Sequence, residues 1–323
     1  MIILFYLPVL ILLSLLYFKL AIRFQILDRP NKRSSHTHVT IRGGGVIFPL
    51  AFFLEFLISG FDLPFFSIGL LLISCISLYD DLRPLSNKIR LLAHLSAVSL
   101  LFTQLDLMSQ DFWVIVIAFI IVIGTINAYN FMDGINGLTG AYSLVMAGSL
   151  YFINLRVVEF IPSQWLIVCV LSLFVFNLFN FRRNAKCFAG DVGSISMAFI
   201  LIYFVTILII ETGDIKFSAL FLMYGLDSVT TILFRLLRRE NIFKAHRFHF
   251  YQYLTNTKLW PHIAVSTLYA FLQLFVNMIL IYSTINFFQF LILILTSGLV
   301  AVVIRLIIEG KDHLFGLNSL SKS

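Results

Sequence analysis

Charge is what this sequence has least of. Lys, Arg, Asp and Glu make up 12% of its 323 residues, where a soluble domain carries about 25%. Apolar residues make up 60%, against roughly 45–50% in a soluble domain. That excess cannot be hidden in one aqueous core, and the lipid bilayer is the solvent that accepts it. Cysteine is also scarce. Cys75, Cys169 and Cys187 are far apart, and the first two lie inside apolar runs, which argues against a disulfide framework or a zinc site. Internal repeats, low-complexity tracts and a separable soluble domain are missing as well, so residues 1–323 read as one integral membrane domain. The opening apolar run, Met1 to Leu16, lacks a basic leader and a small-residue cleavage site. It is expected to be a retained span, not a removed signal peptide. The formal charge of +7 could indicate nucleic acid, but Lys and Arg sit in short gaps between apolar runs. Orientation in a membrane explains that placement, and no nucleic-acid partner is expected.

What the chain has in abundance is apolar stretches near the length needed to cross a bilayer, about 20 residues. Eleven fall at roughly 2–22, 44–59, 65–79, 89–105, 112–128, 138–155, 163–181, 192–211, 217–237, 262–282 and 286–308. Helices are expected throughout, because lipid offers no partner to a free backbone N–H or C=O. The fold class is therefore all-α, a polytopic helix bundle. Taking alternate gaps together with the C-terminal tail, one set carries 21 of the 23 Lys and Arg residues, and only Arg156 and Lys216 fall in the other. The basic set is expected to be cytoplasmic, with the N-terminus outside and the C-terminus inside.

The basic side also holds nearly all the polar clusters. DRPNKRSSHTHVTIRGGG, residues 28–45, offers Arg29, Lys32, Arg33, His36, His38 and Arg42 beside three glycines, a composition suited to anionic headgroups or to simple charge anchoring. YDDLRPLSNKIR, residues 79–90, sets Asp80 and Asp81 at the end of an apolar span, where paired carboxylates need a compensating cation or proton. Mg²⁺, with its preference for hard oxygen ligands, would serve, and Lys88 and Arg90 follow as candidate phosphate contacts. NAYNFMDGINGLTG, residues 127–140, contains no Lys or Arg, so charge topology does not account for it. Asn127, Asn130 and Asp133 are three apart and share a face if the helix continues, with Asn136 just beyond. NFRRNAKCFAGDVGS, residues 180–194, brings Phe188 and Asp191 to a helix start, where Asp191 or Ser194 could serve as an ordinary cap. RLLRRENIFKAHRFHFYQYL, residues 235–254, places His246, Arg247 and His249 together, with Asp227 upstream in an apolar span; His246 and His249 are three apart and face together if the segment is helical. Phosphate or sugar binding fits this segment better than zinc, and an amphipathic interfacial helix is the plainer alternative.

In order, these five segments resemble the polyprenyl-phosphate N-acetylhexosamine-1-phosphate transferase superfamily (glycosyltransferase family 4). The resemblance runs from about Asp28 to Gln252, most specifically in the Asp80–Asp81 pair, NFMDGINGL and FAGDVGS. It implies ten or eleven membrane helices and transfer of an N-acetyl-sugar-1-phosphate from a UDP-sugar to undecaprenyl phosphate, releasing UMP. It further implies a Mg²⁺ cofactor, with Mn²⁺ as a substitute, and the bacterial cytoplasmic membrane with the site facing the cytoplasm. A homodimer is compatible with it. By residue, it implies Asp191 as the principal metal ligand, with Asn130 as a candidate second. Asp80, Asp81, Asp133 and His249 take catalytic roles, and Lys88, Asn130, Asn136, Phe188, His246 and Arg247 bind substrate. The RSSHT and AHRFHFYQ segments look nearest the branch that initiates O-antigen synthesis. Departures are Asn136 where the family commonly has Asp, Val39 or Ile41 and Asn184 where prolines are usual, and Tyr251 and Gln252 where histidines are common. A transporter or flippase, a catalytically dead homologue and a transferase of a peptidoglycan precursor are the competing expectations.

Overall fold

The computed structural model describes residues 2–30, 38–242, 244 and 246–316. Lys32, Arg33 and His36 of the first basic segment lie outside the described residues.

Each apolar stretch forms a helix. α1 (Ile2–Arg23) leads into β1 (Leu27–Asp28), which pairs antiparallel with β2 (Thr40–Ile41). A 3₁₀ turn, Gly44–Val46, then opens α2 (Ile47–Ile58). α3 (Pro64–Leu82), α4 (Asn87–Gln104), α5 (Phe112–Met132), α6 (Leu138–Arg156), α7 (Ser163–Asn180) and α8 (Gly190–Thr212) follow. A 3₁₀ segment, Ile215–Phe221, precedes α9 (Leu222–Leu237). The chain closes with the short α10 (Phe250–Gln252), then α11 (His262–Tyr282), α12 (Phe287–Glu309) and α13 (Lys311–Phe315).

Among the described residues, nine helices are long and apolar enough to cross a membrane. The two other expected spans are also helical but fall short: Gly44–Ile58 in length, and α4 in apolarity, since it carries Lys88, Arg90, His94 and Gln104. The largest structural surprise is the length of α3 and α5. Both run past the expected ends, through Asp81 and to Met132, so their polar residues sit on regular helix.

α8 lies at the centre of the bundle, with its side chains from Val192 to Val205 buried. Phe66 of α3 stacks on Tyr203 of α8 at 4.3 Å between ring centres and on Phe199 at 5.8 Å. The start of α8 packs directly on the 3₁₀ turn: a Cβ added to Gly45 would lie 2.3 Å from the Gly193 Cα. No residue with a side chain fits there, and the contact draws Arg42 to the head of α8. A chain of buried polar side chains links α6 to α11. Gln273 accepts from the Tyr142 hydroxyl and donates to Asn277, which donates to Ser149, as burial away from water requires. α12 is peripheral, and Phe290, Arg305 and Glu309 are its buried residues.

Candidate active site

The first part of the site forms where α3 ends and α8 begins. The Asp81 side chain is buried and accepts three hydrogen bonds: from the Arg42 Nε at 2.8 Å, the Asp191 N–H at 3.1 Å and the Val192 N–H at 3.0 Å. Asp81 thus caps α8 from another helix, meeting both the free N–H groups and the positive end of the helix dipole. The sequence alone left Asp191 or Ser194 as the cap. The structure gives that task to Asp81, because α8 starts at Gly190 and places Asp191 already inside the first turn. Gly190 itself has φ +71°, and a Cβ there would lie 2.6 Å from Asp81 Oδ2 and 2.9 Å from the Gly43 backbone. Only glycine lets the carboxylate approach this closely.

With Asp81 occupied, Asp80 and Asp191 form the next pair. Asp191 is largely buried, and the charges of Asp81, Arg42 and Asp80 act on it. Asp80 also accepts the Leu85 N–H at 2.5 Å and an N–H of Arg90 at 3.3 Å. Arg90, and not the exposed Lys88 of the same helix turn, is therefore the cation paired with this carboxylate.

α5 supplies the third side. The Asn130 side-chain oxygen accepts the Ser194 hydroxyl at 2.7 Å, tying α5 to the start of α8. Asp133 accepts the Thr139 hydroxyl at 2.7 Å. Desolvation pushes the Asp133 carboxyl up to about 6; the Thr139 hydrogen bond opposes this rise and the Asp81 charge adds to it. Asn127, on the same helix, is exposed and donates to the Ile123 carbonyl instead. Asn136 is buried. Its amide donates to the carbonyls of Arg182 at 3.1 Å and Arg183 at 3.0 Å, and its side-chain oxygen has no partner. An aspartate could not donate to those two carbonyls, which gives a physical reason for asparagine at this position. Phe188 is half-buried, and its backbone pairs with Ile41 and Gly44.

The fourth side is the segment before α10. His246 and His249 were expected to face together if the segment were helical. No helix forms over residues 246–249, yet the two rings stack at 5.0 Å and 25°. Phe131, at the end of α5, lies 6.0 Å from His246 and 6.3 Å from His249. The Tyr251 hydroxyl donates to the Phe131 carbonyl at 2.9 Å, so this segment is fastened to the same helix end that carries Asn130 and Asp133. His249 is buried. Its Nδ1 bonds Asp227 at 2.9 Å, and its Nε2 has no partner; neither has Nδ1 of His246. Burial pushes His246 down to about 4, so it is neutral near pH 7. Arg247 is exposed beside them.

Asp227 is the residue the sequence reading left without a role. Besides His249 it accepts the N–H groups of Phe250 at 3.0 Å and Tyr251 at 3.1 Å and the Tyr269 hydroxyl at 2.5 Å. A carboxylate inside an apolar span was itself the signal. Among the described residues, no three His, Cys, Asp or Glu side chains form a ready metal cage. The free thiols of Cys169 and Cys187 are buried.

Residues 63–209 match the family model described as glycosyl transferase family 4. The undecaprenyl-phosphate alpha-N-acetylglucosaminyl 1-phosphate transferase of Yersinia pestis is 27% identical over 57% of this chain. That match spans 56% of the Yersinia protein, little more than half its length. A probable undecaprenyl-phosphate N-acetylglucosaminyl 1-phosphate transferase of Bacillus subtilis is 24% identical over 90% of this chain and 88% of its own. The phospho-N-acetylmuramoyl-pentapeptide-transferase of Thermotoga maritima is 26% identical over 70% of this chain and 80% of its own.

Proposed function

We propose that the chain is a glycosyl transferase of family 4, whose model residues 63–209 match, and that it transfers an N-acetyl-sugar-1-phosphate from a UDP-sugar to undecaprenyl phosphate. The products are undecaprenyl-diphospho-sugar and UMP. The reaction would begin an O-antigen or another cell-surface polysaccharide on the cytoplasmic face of the bacterial inner membrane. The observation that carries this reading is the meeting of Asp80, Asp81 and Asp191 with Asn130, Asp133 and the two histidines at one end of apolar helices. A water-soluble nucleotide and a lipid headgroup can both reach that boundary.

In the reaction, an oxygen of the lipid phosphate attacks the β-phosphorus of the UDP-sugar. The bond from that phosphorus to the oxygen bridging it to the α-phosphorus breaks, and UMP leaves with the electron pair. Such transfers ask the protein mainly for positioning and charge balance. The donor set suits Mg²⁺: all its atoms are hard oxygens, and the ion takes one or two carboxylates while keeping waters. Carboxyl groups close enough for Asp80 and Asp81 to act on Asp191 through their charges also need positive charge. Asp191, with Asp80 beside it, would hold the ion, and Asn130 is a further candidate. When bound, it would neutralise charge on the diphosphate. Arg42 and Arg90 are the fixed cations at this edge, and Lys88 and Arg247 are exposed ones able to meet phosphate oxygens. A phosphate monoester is largely ionised near neutral pH, so the lipid needs little general-base help. Asp81 is best read as holding the head of α8 in place, and Asn136 as tying two loops together.

The test is Asp191→Asn. It removes one charge without changing volume, and transfer should fall by about 100-fold or more while the purified protein stays monodisperse, the scale of losing one electrostatic stabiliser of a transition state. Chelation with EDTA should abolish wild-type turnover, and Mg²⁺ should restore it. Wild-type rates from the variant would remove Asp191 from the reaction.

A further inference from the structure

We infer that Arg305, in the peripheral helix α12, is a positioning residue for His249. This rests on the transferase reading above. The observation is the completeness of its bonding. A guanidinium has five N–H donors, and all five are used here. Nε and Nη2 meet Glu309, the latter at 3.3 Å. Nη1 donates to the Thr230 hydroxyl at 3.1 Å and the Thr231 hydroxyl at 2.8 Å. Nη2 also donates to the Phe248 carbonyl at 2.8 Å. The guanidinium also lies 5.3 Å from the ring of Phe234 and 5.4 Å from that of Phe248.

Two of these contacts lead to the histidine. Phe248 is the residue immediately before His249, so its carbonyl sets where the chain enters the site. Thr231, fixed by Arg305, hydrogen-bonds Asp227 at 3.3 Å, and Asp227 holds His249 by Nδ1. Arg305 thus grips the histidine segment from its backbone and supports the carboxylate that orients its ring. The effect is to fix which nitrogen faces the site. With Nδ1 committed to Asp227, the free Nε2 is the atom left to meet a phosphate oxygen or a proton. A buried ion pair contributes little net stability against an apolar pair of similar size, so Arg305–Glu309 is poorly explained as a brace for α12. Fixing the histidine segment accounts for it better.

Removing Arg305 alone would strand the Glu309 carboxylate, so the test uses Arg305→Met together with Glu309→Met. It is compared with Arg305→Lys, His249→Ala, and the paired change placed on His249→Ala. Transfer kinetics and amide hydrogen exchange are measured on the full chain in nanodiscs. The paired variant should lose about 10- to 100-fold in kcat, the scale seen when a partner orienting a functional side chain is removed, with KM for the UDP-sugar little changed. On the His249→Ala background it should cost nothing further. Arg305→Lys should fall between, keeping the charge with three donors in place of five. The amides of Phe250 and Tyr251 should exchange faster in the paired variant. Wild-type kcat, a full additional loss on His249→Ala, or unchanged exchange at those two amides would each overturn the assignment. A wild-type chain that makes no lipid product would instead fail the transferase reading, and the exchange experiment, which needs no turnover, would still decide the role of Arg305.

Discussion

Asp80 and Asp81 are neighbours with different tasks, and the difference comes from their donors. A carboxylate offers about four lone-pair sites, and Asp81 has committed three of them to Arg42 and the head of α8. Asp81→Asn replaces one accepting oxygen with a donor facing other donors. It should lower stability by about 1.5–3 kcal/mol, the worth of a hydrogen bond to a charged group, read as a lower Tm in detergent. Asp80→Asn keeps an oxygen able to accept the Leu85 N–H, so its Tm should stay near that of the wild type while transfer falls. Equal Tm losses in the two variants would contradict this division. Asp133 makes a separate prediction. Its carboxyl is pushed up to about 6, above the ordinary Asp value of about 3.9 in an unfolded chain. The folded protein therefore binds the extra proton in that window. The stabilisation is complete below about pH 4 and lost as pH rises through about 6, on the order of 3 kcal/mol. In EDTA, the fall of Tm between those values should flatten in Asp133→Asn. The acidic and amide residues were legible in the sequence because their cost in an apolar setting marks them. Their partners were not. Nothing in the spacing of Asp81 and Arg42, which are 39 positions apart, announces the bond between them.

At the scale of elements, the site is set by how closely the 3₁₀ turn before α2 meets the first turn of α8. A Cβ on Gly45 would meet Gly193 backbone, whereas one on Gly148 of α6 meets nothing within 4 Å. Gly45→Ala should therefore separate Arg42 from α8 and cost both stability and activity, by about 1–3 kcal/mol for overpacking a filled site. Gly148→Ala should leave the wild-type Tm unchanged. A Gly45→Ala protein with wild-type Tm and turnover would show that the contact is loose. The helices themselves were readable, since a run of apolar residues in lipid has no alternative to helix. Their ends were less so: α3 and α5 continue through polar residues because hydrogen bonds from α8 and α6 receive those side chains. The histidine segment defeated a periodicity argument for the same reason. Asp227, a side chain of α9, supplies the hydrogen bonds that a regular helix would have supplied.

At the scale of the molecule, the lopsided distribution of Lys and Arg predicts that the acidic cluster lies on the cytoplasmic side. Single cysteines placed at Arg156 and at Arg239, in a chain whose three native cysteines are replaced, should report this. A membrane-impermeant maleimide added to intact cells should label the first and spare the second. The reverse pattern would turn the site outward, away from nucleotide sugars. The bundle's general form followed from composition. The bonds from Arg305 of α12 to Phe248 and Thr231 could not be read from the sequence, because an arginine near a span's end ordinarily marks only the membrane boundary.

The most direct measurement is made on the purified chain in nanodiscs with undecaprenyl phosphate, Mg²⁺ and a panel of UDP-N-acetyl sugars that includes a UDP-activated peptidoglycan precursor. The lipid product is identified by mass spectrometry and UMP is quantified. One UMP released for each undecaprenyl-diphospho-sugar formed, with both absent in Asp191→Asn, is the predicted result. A lipid that stays unmodified with every sugar, or UMP released without a lipid product, would contradict the account.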